Sequence, residues 1–85
     1  MKYERTNYPY SEWAKGFFEY VKKHGEHNSK FYYRFRMYEL WNYLLREDIE
    51  YYLRGAVYAS MMYHLKKIGF KKTEYPNEYG VAKSV

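Results

Sequence analysis

The stretch Lys30–Gly55, KFYYRFRMYELWNYLLREDIEYYLRG, decides how this 85-residue chain folds. Its first glycine is its last residue, and it contains no proline. Laid on a helical period of about 3.6 residues, Arg36, Glu39, Tyr43, Arg46, Glu47, Glu50 and Arg54 form one polar stripe. Phe31, Phe35, Tyr38, Trp41, Leu45, Ile49 and Tyr52 run along another face, flanked by Met37, Leu40 and Leu44. An apolar arc that wide predicts a helix covered by neighbours on more than one side. Two readings compete for its extent. In one the helix is continuous over about 30–54 and Gly55 stops it; the unbroken polar stripe and the i,i+4 pairs Arg46/Glu50 and Glu50/Arg54 support this. In the other it breaks near 46–48, where Asp48 inside the apolar arc would cap a new helix. The balance leans to the continuous helix.

On the N-terminal side, residues 1–10 read as an extended lead-in, because Pro9 disfavours helical angles at Tyr8. Ser11 is an apt N-cap for a helix over about 12–24, whose buried face is Trp13, Phe17, Tyr20, Val21 and His24. Glu12 at its start and Lys22 and Lys23 at its end complement the helix dipole, and Gly25 is its expected stop. Residues 25–29, GEHNS, form a connector with Asn28 or Ser29 as the next cap. On the C-terminal side, Ala56–Ile68 is a further helix that buries Val57, Met61, Leu65 and Ile68, with His64 alongside. Ala59, Met62, Tyr63, Lys66 and Lys67 point the other way, and Gly69 ends it. FKKTEY and YGVAKSV then flank Pro76-Asn77-Glu78, a turn signal that predicts a small β-hairpin. The fold class is mainly α with a short C-terminal β-hairpin: three to four helices in one domain, 1–85.

Aromatic residues make up 25% of the chain, including fourteen tyrosines, so ring burial is how so short a chain builds a core. There is no cysteine, which excludes disulfides, thiolate chemistry and cysteine zinc sites. MKYERTNYPYSEW lacks a signal-peptide core and no run reaches membrane-spanning length. The expectation is a soluble cytoplasmic protein with no membrane partner. The net charge of +5 is unevenly spread: residues 55–85 carry five lysines against Glu74 and Glu78. KKIGFKK at 66–72 concentrates the excess, the footprint expected for a phosphate backbone or an acidic protein surface. A solubilising lysine face is the alternative, and charge alone leaves both open.

Little points to catalysis. His24 and His27, with Glu26 between them, are the one grouping that suggests metal ligands, but Gly25 should end the helix and no third ligand follows. His64 has no serine, cysteine or carboxylate placed to partner it within its helix. Glu47 and Asp48 are adjacent and point apart, and the glycines at 16, 25, 55, 69 and 80 form no phosphate loop. The expectation is a non-enzyme without cofactor or metal.

The last third, RGAVYASMMYHLKKIGFKKTEYPNEYGVAKSV, resembles a winged helix-turn-helix DNA-binding domain. A turn glycine, a helix VYASMMYHLKKIGF and a basic hairpin-like segment carry the resemblance, which spans about residues 30–83 at most. It implies that Val57–Ile68 is the recognition helix and that Lys71–Val81 includes the wing. This family sets a short helix before the turn, where Glu47–Leu53 would sit; a continuous central helix would instead give a small helical bundle with a β tail. Whichever fold holds, Ala59 permits close approach to a nucleic acid, and Ser60 and Tyr63 can donate to phosphates or bases. Lys66, Lys67, Lys71 and Lys72 can neutralise phosphates, and Tyr75 and Tyr79 near the hairpin tip can stack. The first expectation is therefore a nucleic-acid-binding protein, DNA before RNA, acting in transcription regulation. The second is a protein-binding module, such as a phage- or virus-encoded inhibitor of a host protein, whose exposed tyrosines carry the affinity. Homodimerisation through the apolar arc is compatible with both.

Overall fold

The computed structural model describes residues 8–24, 32–47 and 49–83. The expected connector at 25–29, with His27 and Glu26, and the cap assigned to Asp48 fall outside them. Three helices and one small antiparallel sheet make up the described fold. Helix α1 is Tyr10–His24, strand β1 Tyr32–Arg36, and helix α2 Met37–Leu44. A single 3-10 turn, Tyr51–Leu53, leads into helix α3, Arg54–Ile68; strands β2, Lys71–Lys72, and β3, Glu78–Ala82, follow. The strand order is β1-β3-β2.

The central stretch is therefore not one helix. Its first part is a strand, because YYRFR also satisfies a period of two. Antiparallel pairing with β3 sets Tyr33 opposite Val81 and Phe35 opposite Tyr79 on the core side. Tyr32, Arg34 and Arg36 pair with Ala82, Gly80 and Glu78 on the other face. At Arg36 the chain turns directly into α2: its backbone N–H donates to the Glu39 carboxylate at 2.7 Å, and Met37 N–H donates to the Asn77 carbonyl at 2.9 Å. The first bond satisfies a helix-end donor, and the second ties α2 to the hairpin tip.

Helix α2 stops at Leu44 because its buried side cannot be prolonged. Leu40 and Leu44 are buried, and so is Ile49. Five residues after Leu44, Ile49 would lie about 140° around a continuous helix from it. A turn through 45–47 lets all three enter one core, and the pairs Arg46/Glu50 and Glu50/Arg54 no longer span one helical stretch. The face expected to be buried is split accordingly: Phe35 and Ile49 are buried, whereas Tyr38, Leu45 and Tyr52 are each more than half exposed.

The other helices differ less from expectation. Helix α1 begins at Tyr10, so Ser11 lies inside its first turn and is not its cap. Trp13, Ala14, Phe17 and Val21 are its buried residues, while His24 is exposed. In α3, Val57, Met61 and Leu65 are buried as expected, and Met62 joins them instead of facing out. Gly69 ends α3 with φ 131°, a conformation L side chains resist, and its N–H donates to the Leu65 and Lys66 carbonyls. Phe70 N–H also reaches the Leu65 carbonyl, which drops the Phe70 ring into the core. There it meets Phe35 edge-on at 5.0 Å, and Phe35 meets Phe17 at 4.9 Å. Edge-to-face rings at such distances add to their area burial. This aromatic chain joins α1 to the sheet. Among the described residues no helix is long and apolar enough to cross a membrane.

Candidate nucleic-acid interface

Between Glu50 and Glu74 the chain has no acidic residue, yet it carries Arg54, Lys66, Lys67, Lys71 and Lys72. This acid-free segment comprises the 3-10 turn, α3 and β2. Burial of Val57, Met61, Met62 and Leu65 against the core leaves Gly55, Ala59, Tyr63, Lys66 and Lys67 exposed. Their spacing is that of one helical stripe. At its N-terminal end the stripe is bare: a Cβ built on Gly55 meets nothing within 4 Å, and Ala59 carries a single methyl. At its C-terminal end it is cationic and aromatic, with the Lys67 ammonium 4.8 Å from the Tyr63 ring centroid. A cation over a ring face is held in place without losing its charge.

The turn at Gly69 and Phe70 carries the chain from this stripe into β2. Lys71 and Lys72 are exposed there, within six positions of Lys66. The hairpin loop is closed by Thr73 N–H donating to the Glu78 carbonyl at 3.0 Å and by Asn77 at φ 58°. Asparagine tolerates that left-handed conformation better than most residues. Beneath the loop lies a buried carboxylate. Glu78, 1% exposed, accepts the Thr73 hydroxyl at 2.7 Å, and the Arg34 guanidinium lies 3.6 Å away and that of Arg36 4.0 Å.

Of the nine residues expected at the interface, Ala59, Tyr63, Lys66, Lys67, Lys71, Lys72 and Tyr75 are exposed, and Ser60 is half-buried beside the stripe. Tyr79 departs from expectation. It lies within β3 and not at the tip, and its ring stacks on Phe35 at 5.6 Å with an interplanar angle of 20°. It completes the core edge.

Two residues that the sequence did not single out for binding join the cationic end. Ser11 and Lys15 of α1, with His64 and Lys67 of α3, line a pocket of about 250 Å³ between the two helices. Ser11 and Lys15 stand four residues apart on one helical face, the signal available for them in the sequence. His64 is held by Tyr10, whose ring stacks on the imidazole at 6.1 Å, and by the edge of Tyr63. Two ammonium groups, a hydroxyl and an imidazole around one opening suit an anion such as a phosphate. Among the described residues no group of three His, Asp or Glu side chains is placed to hold a metal ion. Compared with protein-family models, curated proteins and solved structures, the chain matches none.

Proposed function

We propose that this protein binds nucleic acid, double-stranded DNA before RNA, as a regulator of winged-helix type. The exposed stripe of α3 carries the reading: bare at Gly55 and Ala59, cationic at Lys66 and Lys67, and without an acid anywhere along the helix. A helix with a bare leading end fits the major groove, which admits an α-helix, and lysines at its far end meet phosphates. The element order supports it further. A short helix, α2, does precede α3, although at Glu47–Leu53, where the family sets its short helix, only the 3-10 turn Tyr51–Leu53 lies; the β2–β3 hairpin after α3 takes the place of a wing. In this reading Lys71 and Lys72 contact backbone on the hairpin side, while Lys15 and Ser11 extend the phosphate contacts to α1. Titration against duplex DNA, single-stranded DNA and RNA at two salt concentrations tests it. Duplex binding that weakens steeply with salt is the expected result, and no binding to any of the three at low salt refutes it.

A second reading rests on a different observation. Tyr51 and Tyr52 are 82% and 79% exposed in the turn before α3, and Leu45 is 56% exposed. Large apolar side chains left in solvent in the two turns between α2 and α3 suit a protein partner, for which tyrosine is a common anchor. Binding of that kind would depend little on salt and would be lost with Tyr51→Ser and Tyr52→Ser.

A further inference from the structure

The face of the sheet turned away from α1 holds a groove that the α3 stripe does not share. Its volume is about 500 Å³, within the range of small-molecule sites, roughly 300–1,000 Å³. Gly80 forms its floor. A Cβ there would lie 3.3 Å from the Tyr32 ring and 3.4 Å from the Thr73 methyl, so these two already pack over Gly80 and a side chain at 80 would displace them. Tyr32 and Tyr75 stand at its sides, 37% and 52% exposed. Neither hangs free. The Arg34 guanidinium carbon lies 5.8 Å from the Tyr32 ring centroid. The Tyr75 N–H donates to Thr73 Oγ1 at 3.2 Å, and that hydroxyl in turn donates to buried Glu78. Lys71 and Lys72 line the groove against one acid, Glu74.

We infer that this groove is a binding site for a free nucleoside monophosphate, its base against the exposed faces of Tyr32 and Tyr75 and its phosphate on Lys71 and Lys72. Two partly exposed tyrosine rings lining one groove offer flat π surfaces to a planar ring, and base stacking on aromatic side chains tolerates any base. An apolar slot without neighbouring cations would suit a neutral ring, whereas two lysines against one glutamate select a ring that carries an anion. The site shares Lys71, Lys72 and Tyr75 with the hairpin side of the duplex-binding reading but none of the α3 stripe, so loss of one does not entail loss of the other.

Calorimetric titration of the 85-residue protein with AMP, GMP, CMP and UMP in turn tests the inference, with adenosine and inorganic phosphate as comparison ligands. Saturable binding of a monophosphate is expected, with adenosine weaker by about tenfold or more and inorganic phosphate weaker still. Tyr75→Ala in the exposed loop should weaken it by roughly tenfold, the scale of removing one stacking ring. Gly80→Val should abolish it, and Lys66→Ala with Lys67→Ala should leave it within about twofold. No saturable binding by any of the four monophosphates overturns the inference. So does binding unchanged by Tyr75→Ala, or inorganic phosphate binding as tightly as AMP. Recognition of a duplex with one unpaired 3′ nucleotide, with no binding of the free monophosphates, also overturns it, since the ligand would then be a strand end.

Discussion

The buried carboxylate under the hairpin is where a single change should be felt most, and Glu78→Leu is the perturbation. Glu78 is 1% exposed and Arg34 8%, and Arg34 Nε has no acceptor among the described residues. Removing Glu78 takes from Arg34 the nearest carboxylate, 3.6 Å away, and from the Thr73 hydroxyl its acceptor. Breaking a buried pair in this way costs about 3–5 kcal/mol, mainly the penalty of a buried charge left without its partner. A domain of this length holds roughly 4–13 kcal/mol in all, so the variant is expected to be marginal or unfolded. In a thermal melt followed by circular dichroism, the loss corresponds to a fall of about 12–40 °C. Glu78→Gln keeps an acceptor for Thr73 and should cost less, about 1.5–3 kcal/mol. The decisive variant is Arg34→Met with Glu78→Leu. It leaves no orphaned charge and should recover most of the stability, because apolar replacement of a whole buried pair is often neutral. A cost below about 1 kcal/mol for Glu78→Leu refutes the reasoning, as does a double variant that costs the sum of its single changes.

Other expectations follow from the same geometry. Lys66→Ala with Lys67→Ala should lower the slope of log affinity against log salt by about two units, one for each phosphate that is no longer neutralised. A slope that stays unchanged in the folded variant removes those two lysines from the interface. Burial, with the Tyr79 hydroxyl nearby, pushes the Tyr58 hydroxyl up to about 12, and that hydroxyl has no hydrogen-bond partner among the described residues. The unfolded chain therefore releases this proton near pH 10 while the folded one keeps it, so stability is full below pH 10 and falls between pH 10 and about 12. Tyr58→Phe should be neutral or stabilising at pH 7 and should flatten the pH dependence of melting over that window. Asn77 at φ 58° should accept glycine at little cost, whereas Asn77→Val should lose about 1–2 kcal/mol in urea unfolding. Phe17, fully buried against Phe35, should cost about 3–5 kcal/mol as Phe17→Ala by the same assay.

Much of the candidate site was legible in the residues. Lysines crowded into 66–72, the small residue at 59 and a 3.6-residue apolar repeat at Val57, Met61 and Leu65 fix which side of α3 faces out. Gly69 marks the end of α3 because no other residue takes φ 131° readily. What the residues could not show is which side chains come from elsewhere. Ser11 and Lys15 reach the cationic end of α3 only because α1 packs across it. Tyr79 looked like a surface tyrosine in a short basic hairpin, and its place on Phe35 depends on the register of β3 against β1.

The stretch from 30 to 55 shows the division most clearly. Local chemistry alone determined that α1 and α3 are helices, that α3 ends at a glycine, and that a turn lies at Pro76–Asn77. Those are matters of period, capping and allowed φ, and they act within a few residues. Whether YYRFR joins a helix or a strand is different, because its aromatic residues fit a period of two and of 3.6 alike. Tertiary structure decided it. A strand leaves backbone N–H and C=O groups that only a partner can satisfy, and β3, more than forty residues away in sequence, supplies them. The same long-range packing ends α2 at Leu44, since Leu44 and Ile49 can both enter the core only if the helix between them breaks.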